Sequence, residues 1–69
     1  MKLYLRDNPK PDKFLGEFKT KEEIHDRIDK WLNLHNYHAH YFRVWSKEGK
    51  TWIDFGDWHK LFYVVNDDE

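Results

Sequence analysis

The sequence predicts an α+β fold of order β-β-α-β-β-β, an antiparallel sheet with one helix packed on one face. Three observations predict it. A helix-start signal at Thr20 and Glu23 opens an apolar stripe of helical period, a glycine turn at Lys47-Glu48-Gly49-Lys50 separates two alternating stretches, and Leu61-Phe62-Tyr63-Val64-Val65 is an unbroken apolar run. The 69 residues are too few to divide into two stable cores, so residues 1–69 are read as one domain.

Lys2-Leu-Tyr-Leu-Arg6 is the first strand, stopped by Asp7-Asn8-Pro9-Lys10-Pro11-Asp12, where two prolines and turn-forming acids oppose regular pairing. Phe14-Leu15-Gly16-Glu17-Phe18 returns as the second. Thr20 and Glu23 then form a capping box, in which hydroxyl and carboxylate each accept a backbone N–H that the helix leaves unpaired. Ile24, Ile28, Trp31, Leu32 and His35 lie on one stripe of a helix over residues 21–35. On its polar face Glu23–Arg27 and Asp26–Lys30 stand at ion-pair spacing. Asn66-Asp67-Asp68-Glu69 has nothing to bury and is expected to fray as an acidic tail.

Chemistry sets the register of the hairpin around Gly49. Pairing Phe42 with Phe55, Arg43 with Asp54, Val44 with Ile53 and Trp45 with Trp52 sorts the side chains by type. Phe42, Val44, Ile53 and Phe55 then share one face, while Tyr41, Arg43, Trp45, Trp52 and Asp54 share the other; a one-residue slip mixes them. One helix covers one face of a sheet. The aliphatic face is its natural partner, which leaves Tyr41, Trp45, Trp52 and Tyr63 expected on an open surface with the pair Arg43–Asp54 among them. An exposed aromatic patch of that size marks a contact surface.

Composition bounds what that surface does. Lys and Arg number 12 against 13 Asp and Glu, which removes the basic excess of a non-specific nucleic-acid binder. Residues 36–69 hold four basic and six acidic side chains, a further count against phosphate binding. The absence of cysteine excludes disulfides, thiolate zinc sites and thiol nucleophiles, and suits a reducing cytoplasm. No apolar run approaches the ~20 residues of a membrane span, and no signal-peptide core follows Met1-Lys2, so a cytoplasmic protein with no membrane partner is expected. Aromatic residues, 19% of the chain, supply the burial that opposes the ordering entropy of a polar sequence.

Four motifs invite chemical readings. Asp54-Phe55-Gly56 spells the magnesium tripeptide of kinases, yet the glycine-rich loop, strand lysine and catalytic loop are missing, so it is read as a strand-end turn with Gly56 in a conformation that a side chain hinders. Asp54, Asp57 and His59 cluster near that turn, but the chain has no nucleophile signature and little room to enclose a substrate; no enzyme, catalytic residue or cofactor is expected. His35, His38 and His40 are a weaker metal-site alternative. Exposed aromatics beside Arg43, with Lys10, Lys13 and Lys19 lining a groove, give the alternative of stacking single-stranded nucleic acid.

Phe42-Arg43-Val44-Trp45, Gly49-Lys50-Thr51-Trp52-Ile53-Asp54-Phe55-Gly56 and Leu61-Phe62-Tyr63-Val64 together resemble the C-terminal half of short uncharacterised proteins of Gram-positive phages and prophages. The resemblance implies a small phage- or prophage-encoded protein, in the host cytoplasm, that binds a host or phage protein. It brings no activity and no site residues. The reading of the residues agrees in kind: a non-enzymatic module that binds another protein, or a second copy of itself, through Tyr41, Arg43, Trp45, Trp52, Asp54 and Tyr63, with the tryptophans as anchors.

Overall fold

A computed structural model describes residues 1–39, 41–57 and 59–66. Five strands and one helix follow in the expected order: β1 Lys2–Asp7, β2 Lys13–Glu17, α1 Lys21–Leu34, β3 Arg43–Lys47, β4 Lys50–Asp54 and β5 Lys60–Val65. The strands form one antiparallel sheet in spatial order β2-β1-β5-β4-β3. The apolar run is therefore the central strand, and Phe62, Tyr63 and Val64 are buried on alternating faces. His40, one of the three candidate metal ligands, lies outside the described residues, as do Trp58 and the last three residues of the acidic tail.

Local chemistry sets the helix. The Thr20 hydroxyl accepts the Glu23 N–H at 3.2 Å, and Glu23 Oε1 accepts the N–H of Thr20 at 3.2 Å and of Lys19 at 2.8 Å. Those bonds hold the Glu23 carboxyl below its ordinary range. They turn the carboxylate back to the helix start, and among the described residues neither the expected Glu23–Arg27 pair nor Asp26–Lys30 forms; the contact at that spacing is His25 Nδ1 with Asp29 Oδ2 at 3.3 Å, ionic when the imidazole is protonated. Ile24, Ile28, Trp31 and Leu32 point into the sheet against Leu3, Leu5, Phe55, Phe62 and Val64. Trp31 anchors one end, edge-on to Phe62 at 5.4 Å and stacked on Tyr37 at 5.5 Å.

The hairpin register is the one that chemistry favours: Arg43 opposite Asp54, Val44 opposite Ile53, Trp45 opposite Trp52. What the helix covers is not as expected. Phe55 is buried and Ile53 partly so, but Phe42 is exposed and Val44 is 60% exposed. Width explains it. Five strands at about 4.8 Å spacing span roughly 19 Å, whereas a helix with its side chains is about 10–12 Å across. With its stripe seated on β1 and β5, α1 stops short of β3 at the far edge.

Candidate functional site

The face away from the helix is built from one lateral row. Successive pairings place Phe14 opposite Tyr4, Tyr4 opposite Tyr63, Tyr63 opposite Trp52 and Trp52 opposite Trp45, so a rung of aromatic rings crosses all five strands. Neighbouring centroids lie 5.4 Å apart for Tyr4–Phe14, 5.1 Å for Tyr4–Tyr63 and 5.0 Å for Trp52–Tyr63. The sheet pairing that aligns these strands also stacks the rings, an arrangement worth about 0.5–1.5 kcal/mol per pair beyond area burial.

The centre of this row is closed, against the expectation of an open surface. Trp52 is 8% exposed and Tyr63 6%. The cover comes from long charged side chains whose heads lie over the rings. The Arg6 guanidinium sits 4.9 Å from the Trp52 ring centroid and 5.5 Å from that of Tyr63, and Lys50 Nζ lies 5.8 and 5.1 Å from the same two rings. Asp12, from the proline-rich loop, completes the lid: it accepts the Tyr63 hydroxyl at 2.6 Å and meets Arg6 Nε at 3.5 Å. Burial first, then the bond to Asp12, pushes the Tyr63 hydroxyl up to about 12. That same bond, with Arg6 beside it, holds the Asp12 carboxyl below its ordinary range. Counting tryptophans and tyrosines cannot reveal this lid. The signal in the sequence was Arg6, two residues after Tyr4 on the same side of β1.

At the β3 end the row opens. Trp45 is 38% exposed, Tyr41 is exposed, and Arg43 stands 6.0 Å from the Trp45 ring while donating to Asp54 Oδ2 at 3.3 Å. The cross-strand pair Arg43–Asp54 thus forms, and the other oxygen of Asp54 accepts the Gly56 N–H at 2.9 Å. Gly56 has φ of 97°, in accord with the strand-end turn that its tripeptide was read as. Asp57 accepts the His59 backbone N–H at 2.8 Å, which is local turn chemistry too.

Behind β3, on the helix side, the uncovered strip becomes an apolar groove of about 520 Å³. Ile24 and Ile28 of α1 form one wall, Phe42 and Val44 the other, and Ile53 and Val64 the floor, with Lys21 and His25 at its edge. Sequence reasoning assigned Phe42 and Val44 to the core and so missed this groove. β3 is in consequence exposed along its whole length and on both faces.

Charge is sorted by face rather than by chain half. Lys2, Arg6, Arg43, Lys47 and Lys50 share the aromatic face with Asp12, Glu17 and Asp54, so cations outnumber carboxylates there by a modest margin although the whole chain is near neutral. Among the described residues the candidate histidines do not gather. His35 Nδ1 bonds the Trp31 carbonyl at 2.9 Å and its ring stacks on Trp31 at 4.2 Å, which makes it a helix-end residue. Among the described residues the one group of three donors within ligand reach is His25, Asp26 and Asp29, on an exposed turn of α1, and neither His35 nor His38 belongs to it. No helix among the described residues is long and apolar enough to cross a membrane. Comparison with known protein families, with characterised proteins and with solved structures finds no match.

Proposed function

We propose that the chain is a non-enzymatic binding module that recognises another protein through the β3 side of its hairpin. One observation carries this reading: β3 alone among the strands is exposed throughout, with Trp45 on one face and Val44 on the other. Trp45 is the anchor, Tyr41 adds an exposed ring ahead of β3, and Arg43 sets orientation while held by Asp54. Trp52 and Tyr63 act indirectly, as the buried rungs against which Trp45 is aligned. A phage or prophage origin, with a partner in the host cytoplasm, belongs to the same proposal and rests on the resemblance of the hairpin and last strand. The test is to crosslink partners to the wild-type chain and to a Trp45→Ser variant whose fold is verified by circular dichroism. A partner held by the first and lost by the second supports the reading; identical sets for both overturn it.

A second reading, single-stranded nucleic acid, is favoured by the cationic character of the aromatic face. It is weakened by the lid over Trp52 and Tyr63, which leaves few rings free for bases. A salt titration of oligonucleotide binding decides it, since phosphate contacts give a steep loss of affinity with salt and their absence gives none.

A further inference from the structure

We propose that the partner engages this surface as an extended segment that adds antiparallel to the open edge of β3, with carboxylates opposite Arg43 and Lys47 and an apolar side chain over Val44 at the groove. The inference rests on the hairpin being the recognition surface, and says how it is used.

The turn fixes which backbone groups are free. Glu48 and Gly49 have φ of 56° and 76°, both positive, as a two-residue type I′ turn requires. Such a turn closes on a hydrogen-bonded pair, here Lys47 and Lys50, and in an antiparallel ladder these pairs alternate, so Trp45–Trp52 and Arg43–Asp54 are bonded pairs as well. The N–H and C=O groups of Val44 and Ser46 therefore point away from β4, along the side where β3 has no neighbouring strand. That edge is a template for one more strand.

Charge chooses the strand. On the aromatic face β3 reads cation, indole, cation: Arg43, Trp45, Lys47. Lys47 faces Lys50 across the hairpin, a like-charge pair that is unfavourable on a sheet, and among the described residues it has no ionic partner. The Arg43 side chain is 69% exposed and spends one bond on Asp54. A segment reading acid, polar, apolar, apolar, acid from its N-terminus meets Lys47, Ser46, Trp45, Val44 and Arg43 in turn. Its acids neutralise both cations, its third residue covers Trp45, and its fourth lies beside Val44 on the groove side. A second copy of the chain fits less well. The self-pairing that stacks Trp45 on its own copy sets Arg43 of each copy against Lys47 of the other.

The experiment titrates an end-blocked peptide Glu-Thr-Val-Leu-Glu, its lysine-for-glutamate counterpart, and a version N-methylated at the amides that face β3. Each is added to the wild-type chain and to the Trp45→Ser and Ser46→Pro variants. Proline at Ser46 removes an N–H that the β3–β4 ladder does not use. Expected is binding of the acidic peptide that falls about tenfold or more in Ser46→Pro, on N-methylation and on charge reversal, the loss of one to two net hydrogen bonds or of both ion pairs. Loss in Trp45→Ser with no loss in Ser46→Pro or on N-methylation overturns strand addition while leaving the hairpin as the recognition surface. N-methylation does not depend on how any variant folds. No binding of the acidic peptide overturns the proposal. Concentration-dependent dimerisation that Ser46→Pro abolishes overturns it in favour of a second copy, and salt-steep oligonucleotide binding that ignores Ser46→Pro does so in favour of nucleic acid.

Discussion

Trp45 and Trp52 stand directly opposite each other on one face of the hairpin, yet the first is 38% exposed and the second 8%. A single strand step separates a packing residue from a surface one, because Arg6 and Lys50 reach the Trp52 ring and neither reaches that of Trp45. The two should respond unequally to truncation. Trp52→Ala removes a buried ring at a cost of about 3–5 kcal/mol, a large share of the roughly 5–15 kcal/mol that holds a domain folded. Trp45→Ala loses a cross-strand contact and little buried area, so it should lower stability by about 1 kcal/mol or less. Equal shifts in chemical denaturation would contradict the difference in their surroundings.

The burial of Tyr63, and then its bond to Asp12, tie stability to pH at both ends of the scale. The Tyr63 hydroxyl, raised from near 10 to about 12, contributes stability that is present below its unfolded value and is lost as pH rises from about 10 to about 12. The Asp12 carboxyl, lowered first by the Tyr63 hydroxyl, contributes stability present above the ordinary carboxylate value and lost as pH falls through its depressed one. Tyr63→Phe should flatten both limbs of a plot of unfolding free energy against pH. An unchanged acidic limb would mean that the bond to Asp12 is not formed in solution.

Capping should be measurable in isolation. Thr20→Ala leaves the Glu23 N–H without its side-chain acceptor and should lower stability by about 1 kcal/mol, while Thr20→Ser should leave it nearly unchanged. Thermal unfolding of the three proteins compares them directly.

Val44 and Ile28 face the same groove with opposite energetic weight. Ile28→Ala empties a buried site and should cost about 2–5 kcal/mol. Val44→Ser, at an exposed position, should change stability by roughly 0.5 kcal/mol or less. A large effect of Val44→Ser would show that something already covers the groove.

Order, register and the helix stripe were legible because each depends on neighbours in sequence. Thr20 and Glu23 are three residues apart, the Gly49 turn aligns its own two strands, and Ile24 to Leu32 keep a helical period. Burial was less legible because it depends on strand order. With β5 inserted between β1 and β4, the helix is drawn toward Leu3 and Phe62 and away from Phe42 and Val44, and Arg6 comes to lie over Trp52, 46 positions along the chain. The strand residues Arg43, Trp45, Trp52 and Asp54 therefore share a face as alternation predicts, while the middle of that face is closed and the exposed surface contracts to the β3 end.

Amide hydrogen exchange on the dilute chain tests most directly whether that end is free. Arg43, Trp45 and Lys47, bonded to β4, should exchange slowly, and Val44 and Ser46, directed outward, should exchange at rates close to those of an unstructured peptide. Slow exchange at Val44 and Ser46 as well would mean that the edge is already occupied, and would contradict a β3 strand waiting for a partner.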